Sequence, residues 1–223
     1  MQEVPGGRKN CRAGRLTGME FWRMMFGGAY ASEASGGEGM YFDSAGPGHT
    51  EETLKRAKEA CAARGIKHLV VASTAGPTAK RALALVKGTS LRLVVVTHNW
   101  GFGEEGKNEF SDEVRKEIEQ AGHKVHSGML LTRNLGKAIA LKMGGQSESE
   151  LVANVLRIFG QGVKVCVEMA TMVADAGLVP AEDCVFVAGT GKGADTALII
   201  RPAASHNFFN LKVREIICKP AKF

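Results

Sequence analysis

Ile66-Lys67-His68-Leu69-Val70-Val71-Ala72, then Ser73-Thr74-Ala75-Gly76-Pro77-Thr78-Ala79-Lys80, then Arg81-Ala82-Leu83-Ala84-Leu85-Val86 is the run that decides the fold. An apolar strand, a turn of hydroxyls, glycine and proline, and an apolar-periodic helix follow one another without a break. Such a turn sets the free N–H groups and positive dipole end of a helix beside the carboxyl end of a strand. That arrangement suits an anion, a phosphate above all, with Lys80 and Arg81 near it. The same residues also describe an ordinary βα loop, with Thr74 or Gly76 as N-cap and Pro77 at the first helical position.

Working outward, the unit repeats. Met40-Tyr41-Phe42 reads as a short strand, followed by the loop Ser44–His49 and a helix opened by Thr50 and closed by Gly65. Leu91–Thr97 is another strand, nearly continuous in apolar residues, as parallel strands covered on both faces are. Ser111 caps a helix that Gly122 stops, and Lys124-Val125-His126 is a short strand. A helical pattern spans Leu130–Met143, and Ser147 begins a further helix. Val163–Ala176 is apolar over most of its circumference, which predicts a central buried helix. Cys184–Ala188, Thr196–Arg201 and Val213–Cys218 complete the strands. The alternation predicts an α/β three-layer sandwich with a mostly parallel sheet.

The chain has 223 residues, 44% apolar and 23% charged, the balance of a globular protein. Residues 1–39 read as a poorly ordered extension or a miscalled start, with Met19 and Met40 as alternative starts; the organised domain is expected over 40–223. The apolar segment Met24-Met25-Phe26 is too short, and too close to Arg23, for a secretory signal. Net charge is +6. Five Lys/Arg against four Glu in residues 1–39 leave that basicity to the body of the chain. Without a basic run or a nucleic-acid motif, a small anionic ligand is expected rather than nucleic acid. No stretch is apolar enough to span a membrane. The five cysteines are odd in number and far apart, and most lie in apolar runs. They read as reduced core residues of a cytoplasmic protein, not as a disulfide framework or zinc site.

Ligands of open α/β sheets bind outside the carboxyl ends of the strands. Three strand ends stand out. The first is the turn with Ser73, Thr74, Gly76, Thr78 and Ala79. The second is Thr97–Gly103, where His98, Asn99, Trp100 and Phe102 could meet a planar ring or simply anchor a long loop. The third is Gly189–Thr196, where Gly191, Lys192 and Gly193 bring close backbone and charge. This last stretch is not a Walker A loop, because Gly193 stands where the metal-binding hydroxyl would be, and its glycines do not fit the dinucleotide fingerprint. Glu168 and Asp175, seven apart on one helix face, either ligate something or satisfy backbone N–H groups and basic partners. No catalytic constellation and no metal set can be read.

Ser73–Ala79 resembles the Thr/Ser-x-x-Gly-x-Thr/Ser-Ala turn of the pyruvate kinase C-terminal α/β domain, where the turn holds the phosphate of a sugar-phosphate effector. Gly189–Thr196 is similar to that domain's late Gly-rich loop. Thr50-Glu51-Glu52-Thr53-Leu54, Gly65–Ser73, Gly162–Glu168, Gly193–Ala197 and Asn207-Phe208-Phe209 are similar to small stand-alone proteins of that fold, a family of archaea and bacteria. The resemblance covers residues 40–220. It implies a parallel-sheet sandwich with one late antiparallel strand, and flavin mononucleotide (FMN) at the strand ends of some members. It does not imply pyruvate kinase activity, which needs a barrel of about 250 residues. The expectation is a protein holding a phosphorylated small molecule, most of all FMN, between these three loops. The alternatives are a regulatory module that binds a sugar phosphate and acts through a partner or homo-oligomer, and a purely structural subunit.

Overall fold

The structure is a computed structural model and describes residues 40–133 and 135–223. The extension expected over residues 1–39, with Cys11, lies outside the described residues. The elements are β1 (Met40–Phe42), α1 (Thr50–Arg64), β2 (His68–Ala72), α2 (Pro77–Val86), β3 (Arg92–Thr97), α3 (Asp112–Gln120), β4 (Lys124–Ser127), α4 (Leu135–Met143), α5 (Glu148–Arg157), α6 (Gln161–Asp175), β5 (Cys184–Ala188), β6 (Thr196–Arg201) and β7 (Lys212–Pro220). Short 3-10 turns occupy Pro47–His49 and Ser205–Asn210.

The seven strands form one sheet in the order β1-β7-β6-β5-β2-β3-β4. Every pair is parallel except the two that β6 makes with β5 and β7. Alternate residues of one strand go to opposite faces. Leu69 and Val71 pack with α1, α2 and α3, while Val70 packs with α6. The layering follows from crossover handedness. From β1 through β4 the chain travels one way across the sheet, so right-handed connections keep α1, α2 and α3 on one face. From β4 it turns back to β5, and the same handedness puts α6 on the other. One consequence positions the site: the loops after β1, β2, β3, β4 and β5 all leave from the same edge.

Element ends depart from the sequence pattern for local reasons. β2 starts at His68, not Ile66, because the Ile66 amide closes the end of α1 on the Cys61 carbonyl, with Gly65 left-handed at φ 64°. The helical pattern expected from Leu130 begins only at Leu135, because the Thr132 amide donates to the Glu168 carboxylate at 3.0 Å. β7 runs on to Pro220 because β1 pairs beside it, Phe42 against Pro220.

α6 is buried along eleven of its fifteen residues, as its nearly all-round apolar pattern requires. It lies so close to the sheet that a β-carbon at Gly162 would stand 2.5 Å from Thr196 Cβ. Alanine normally gains about 1 kcal/mol over glycine in a helix. Here overpacking wins. Gly162→Ala is expected to destabilise the chain by roughly 2 kcal/mol, read as a lower urea midpoint with unchanged slope; a midpoint at or above wild type would disprove the close approach.

Cys61, Cys166, Cys184 and Cys218 are buried free thiols. Burial pushes the Cys61 and Cys184 thiols up to about 12 and Cys218 to about 11, so they pack as small apolar groups rather than react. Among the described residues, no helix is long and apolar enough to cross a membrane.

Candidate functional site

β5, β2 and β3 are neighbours, so the three loops singled out in the sequence emerge side by side. Val71 pairs with Val187, and Ala72 with Val96, so they leave the sheet at nearly the same level.

In the first loop Gly76 is the N-cap at φ 117° and Pro77 is the first helical residue. Ser73 Oγ accepts from the Ala79 amide at 3.3 Å, which satisfies one free donor of α2 from within the chain. Ser73 and Thr78 are buried. Gly76 answers to packing as well as to backbone shape, since a β-carbon there would lie 3.1 Å from Val114 Cγ2 on α3. What remains for a ligand is the dipole of α2, the Thr78 amide and the hydroxyls of Ser73 and Thr78.

The second loop is folded on itself. His98 Nδ1 bonds the Glu109 carboxylate at 2.7 Å, and Asn108 Nδ2 donates to the His98 carbonyl at 2.9 Å. Asn99 Nδ2 donates to the Trp100 carbonyl at 2.8 Å. The His98 ring lies against Phe102, centroids 3.8 Å apart, and the Arg133 guanidinium stands 4.7 Å from the Phe102 centroid. Phe102 is therefore occupied by its neighbours, whereas Trp100 is 60% exposed. Phe110 is the residue that anchors this loop in the core.

The third loop is clamped by Asp195, which is fully buried. Its Oδ2 accepts from the Gly46 and Thr190 amides at 3.1 and 3.2 Å, and its Oδ1 accepts from Thr196 Oγ1 at 2.9 Å. Thr50 Oγ1 receives the Ala194 amide at 3.0 Å. Gly193, at φ 72°, is pressed so tightly on this junction that a β-carbon would lie 2.6 Å from Pro47 Cα. Gly191 and Lys192 face solvent at the tip. Between tip and clamp, Thr190 Oγ1 is buried with no hydrogen-bond partner among the described residues.

Glu168 holds the loop after β4: both the amide and the hydroxyl of Thr132 donate to it, and it pairs with Lys164 one turn earlier on α6. Lys164, Glu168 and Thr132 are all buried. Burial lowers the Lys164 pKa, a shift that Glu168 partly opposes. Asp175 accepts the Ser205 amide at 2.8 Å at the other end of the helix. Of the two roles open to these carboxylates, holding backbone and pairing with a base is the one found.

Arg133, Thr190, Thr132 and the clamp of Asp195 on Gly46 were not singled out from sequence. The Asp195 and Gly46 partners lie 149 residues apart, so no local spacing announces them. Among the described residues, no group of three or more His, Cys, Asp and Glu could hold a metal ion. The edge offers the Thr78 amide, the hydroxyls of Ser73 and Thr78, the dipole of α2 and the exposed Trp100. The chain matches no model of a known protein family.

Proposed function

We propose that the edge formed by the loops after β5, β2 and β3 binds a phosphorylated small molecule. Its phosphate sits at the start of α2 against Ser73, Thr74, Gly76, Thr78 and Ala79. Gly191, Lys192 and Gly193 close over it from the neighbouring strand. The observation that carries the reading is the Thr190 hydroxyl, buried without a partner among the described residues in the loop after β5, the strand next to β2. A buried hydroxyl costs free energy unless something bonds it, and a phosphate oxygen would do so.

FMN is the ligand that fits the most residues. Its phosphate takes the Thr78 amide and the hydroxyls of Ser73 and Thr78, and the exposed Trp100 offers a ring face, with His98 and Asn99 beside it. When bound, a flavin supplies hydride or electron transfer, and the chain would set its position and surroundings. The resemblance to stand-alone relatives of the pyruvate kinase C-terminal domain supports this choice, and the antiparallel β6 agrees with it. A second reading, a sugar-phosphate sensor, is favoured by the covering of Phe102 by His98 and Arg133, since a ligand without a ring needs no aromatic slot.

Titration with FMN, riboflavin and fructose bisphosphate separates the readings. FMN is expected to bind with quenched fluorescence, riboflavin and the Lys192→Glu variant at least about tenfold more weakly, as the loss of a charge-assisted contact predicts. Binding of the bisphosphate alone would leave the sensor; binding of neither compound would remove the phosphate site.

A further inference from the structure

α4 is an apolar helix that buries none of its residues. Leu135, Ile139, Leu141 and Met143 are 72, 49, 77 and 81% exposed, and Leu135, Ile139 and Met143 recur at helical spacing along one stripe. α5 has two apolar stripes. Its inner one, with Ala153 and Leu156, meets the body of the domain. Its outer one, Leu151, Val155 and Ile158, recurs at helical spacing and faces solvent. A nine-residue helix does not hold itself in water. Exposed apolar surface on this scale marks an interaction site.

We infer that the α4–α5 hairpin is a dimerisation surface, and that its occupant is the same hairpin of a second copy of this chain. Charge selects that partner. α4 carries only bases, Lys137 and Lys142, and the start of α5 carries only acids, Glu148 and Glu150. Lys137 pairs with Glu150 between the two helices at 3.4 Å, and the short connection over residues 144–147 is the kind that joins antiparallel helix neighbours. Lys142 and Glu148, at the tip, are exposed and make no pair within the described residues. Two hairpins face to face about a two-fold axis along their length bring each α4 against the other's α5 with the tips together. Lys142 then meets Glu148 of the other copy, twice by symmetry. A two-fold across the hairpin would instead set base against base. The first arrangement is a four-helix bundle with the outward stripes as its core.

Sedimentation velocity of the full chain tests this. Wild type is expected to be a dimer, and Ile139→Asp, folded by circular dichroism, to sediment as a monomer, with association weakened about 30-fold or more as for a central interface residue. Lys142→Glu and Glu148→Lys are each expected to weaken the dimer about tenfold through two like-charge contacts. Mixing these two single variants restores it, because every 142–148 contact in the mixed dimer is again opposite in charge; a pair formed within one chain gives no such rescue. A wild-type monomer overturns the inference, whether its hairpin is protected from hydrogen exchange by residues 1–39 or binds lipid vesicles. So does a dimer indifferent to Ile139→Asp.

Discussion

Asp195→Ala is expected to cost the chain about 4 kcal/mol, while Asp195→Asn costs only about 1 kcal/mol. Asp195 is fully buried, and three donors converge on it: the Gly46 amide, the Thr190 amide and the Thr196 hydroxyl. Alanine leaves all three without an acceptor in a place water does not reach, and each buried orphan costs roughly 1–3 kcal/mol. Asparagine can turn its carbonyl oxygen to the two amides and its NH2 to Thr196 Oγ1, because a hydroxyl accepts as well as donates. The gap between the two substitutions is therefore the signature of the clamp.

The loss should have an address as well as a size. β1 is three residues long and, among the described residues, pairs only with β7. Beyond that pairing, the loop after it is tied to the β5–β6 loop through Gly46, through Thr50 and through the seating of Gly193 on Pro47. With Ala at 195, hydrogen exchange should quicken first around Phe42–His49 and Gly189–Thr196, before β2 or β3. Chemical denaturation and exchange mass spectrometry check both parts. An Asp195→Ala midpoint equal to that of Asp195→Asn would mean the donors find water, and the clamp would not be what holds this edge.

The contrast between this clamp and the βα units shows what a sequence can display. β2, the turn at Ser73–Gly76 and α2 are consecutive, so apolar period, cap and proline position are all within one short window. The same holds for Ser111 at the start of α3, whose hydroxyl accepts from Val114, and for Ser147 at α5. The return of the three loops to one edge was also legible, because parallel strands joined by helices must bring their loops back there; their adjacency came from the strand order β5-β2-β3. Asp195 is different. It stood in plain view after Gly193-Ala194, but its meaning comes from Gly46, which no periodicity links to it. Thr132 is similar: its run looks helical until Glu168, a residue of another helix, takes its amide. Arg133 over Phe102 depends in turn on where that loop is pinned. The exposure of α4 was hidden for another reason: an apolar helix reads as buried, and only the fold reveals that nothing in the described chain covers it.

The Lys164–Glu168 pair yields the second large effect. Lys164→Met is expected to destabilise the chain by about 3–5 kcal/mol, because it strands a buried carboxylate beside Thr132. The double variant Lys164→Met with Glu168→Gln should return to within about 1 kcal/mol of wild type. Methionine keeps the apolar length of the lysine stem against α6's neighbours. Glutamine keeps an oxygen for the Thr132 amide and hydroxyl, and no charge remains to be desolvated. The pH dependence carries an independent sign. Burial lowers the Lys164 pKa from the ordinary 10.5, so between the folded and unfolded values the unfolded chain binds more protons, and stability rises with pH there. Lysine's contribution is thus a penalty at neutral pH that fades as pH climbs towards 10.5. Wild type should gain on the double variant across that alkaline range, in parallel urea titrations. A single Lys164→Met variant as stable as wild type would mean that Glu168 reaches solvent, and the buried pair would then have no part in holding Thr132 and the loop that carries Arg133 to Phe102.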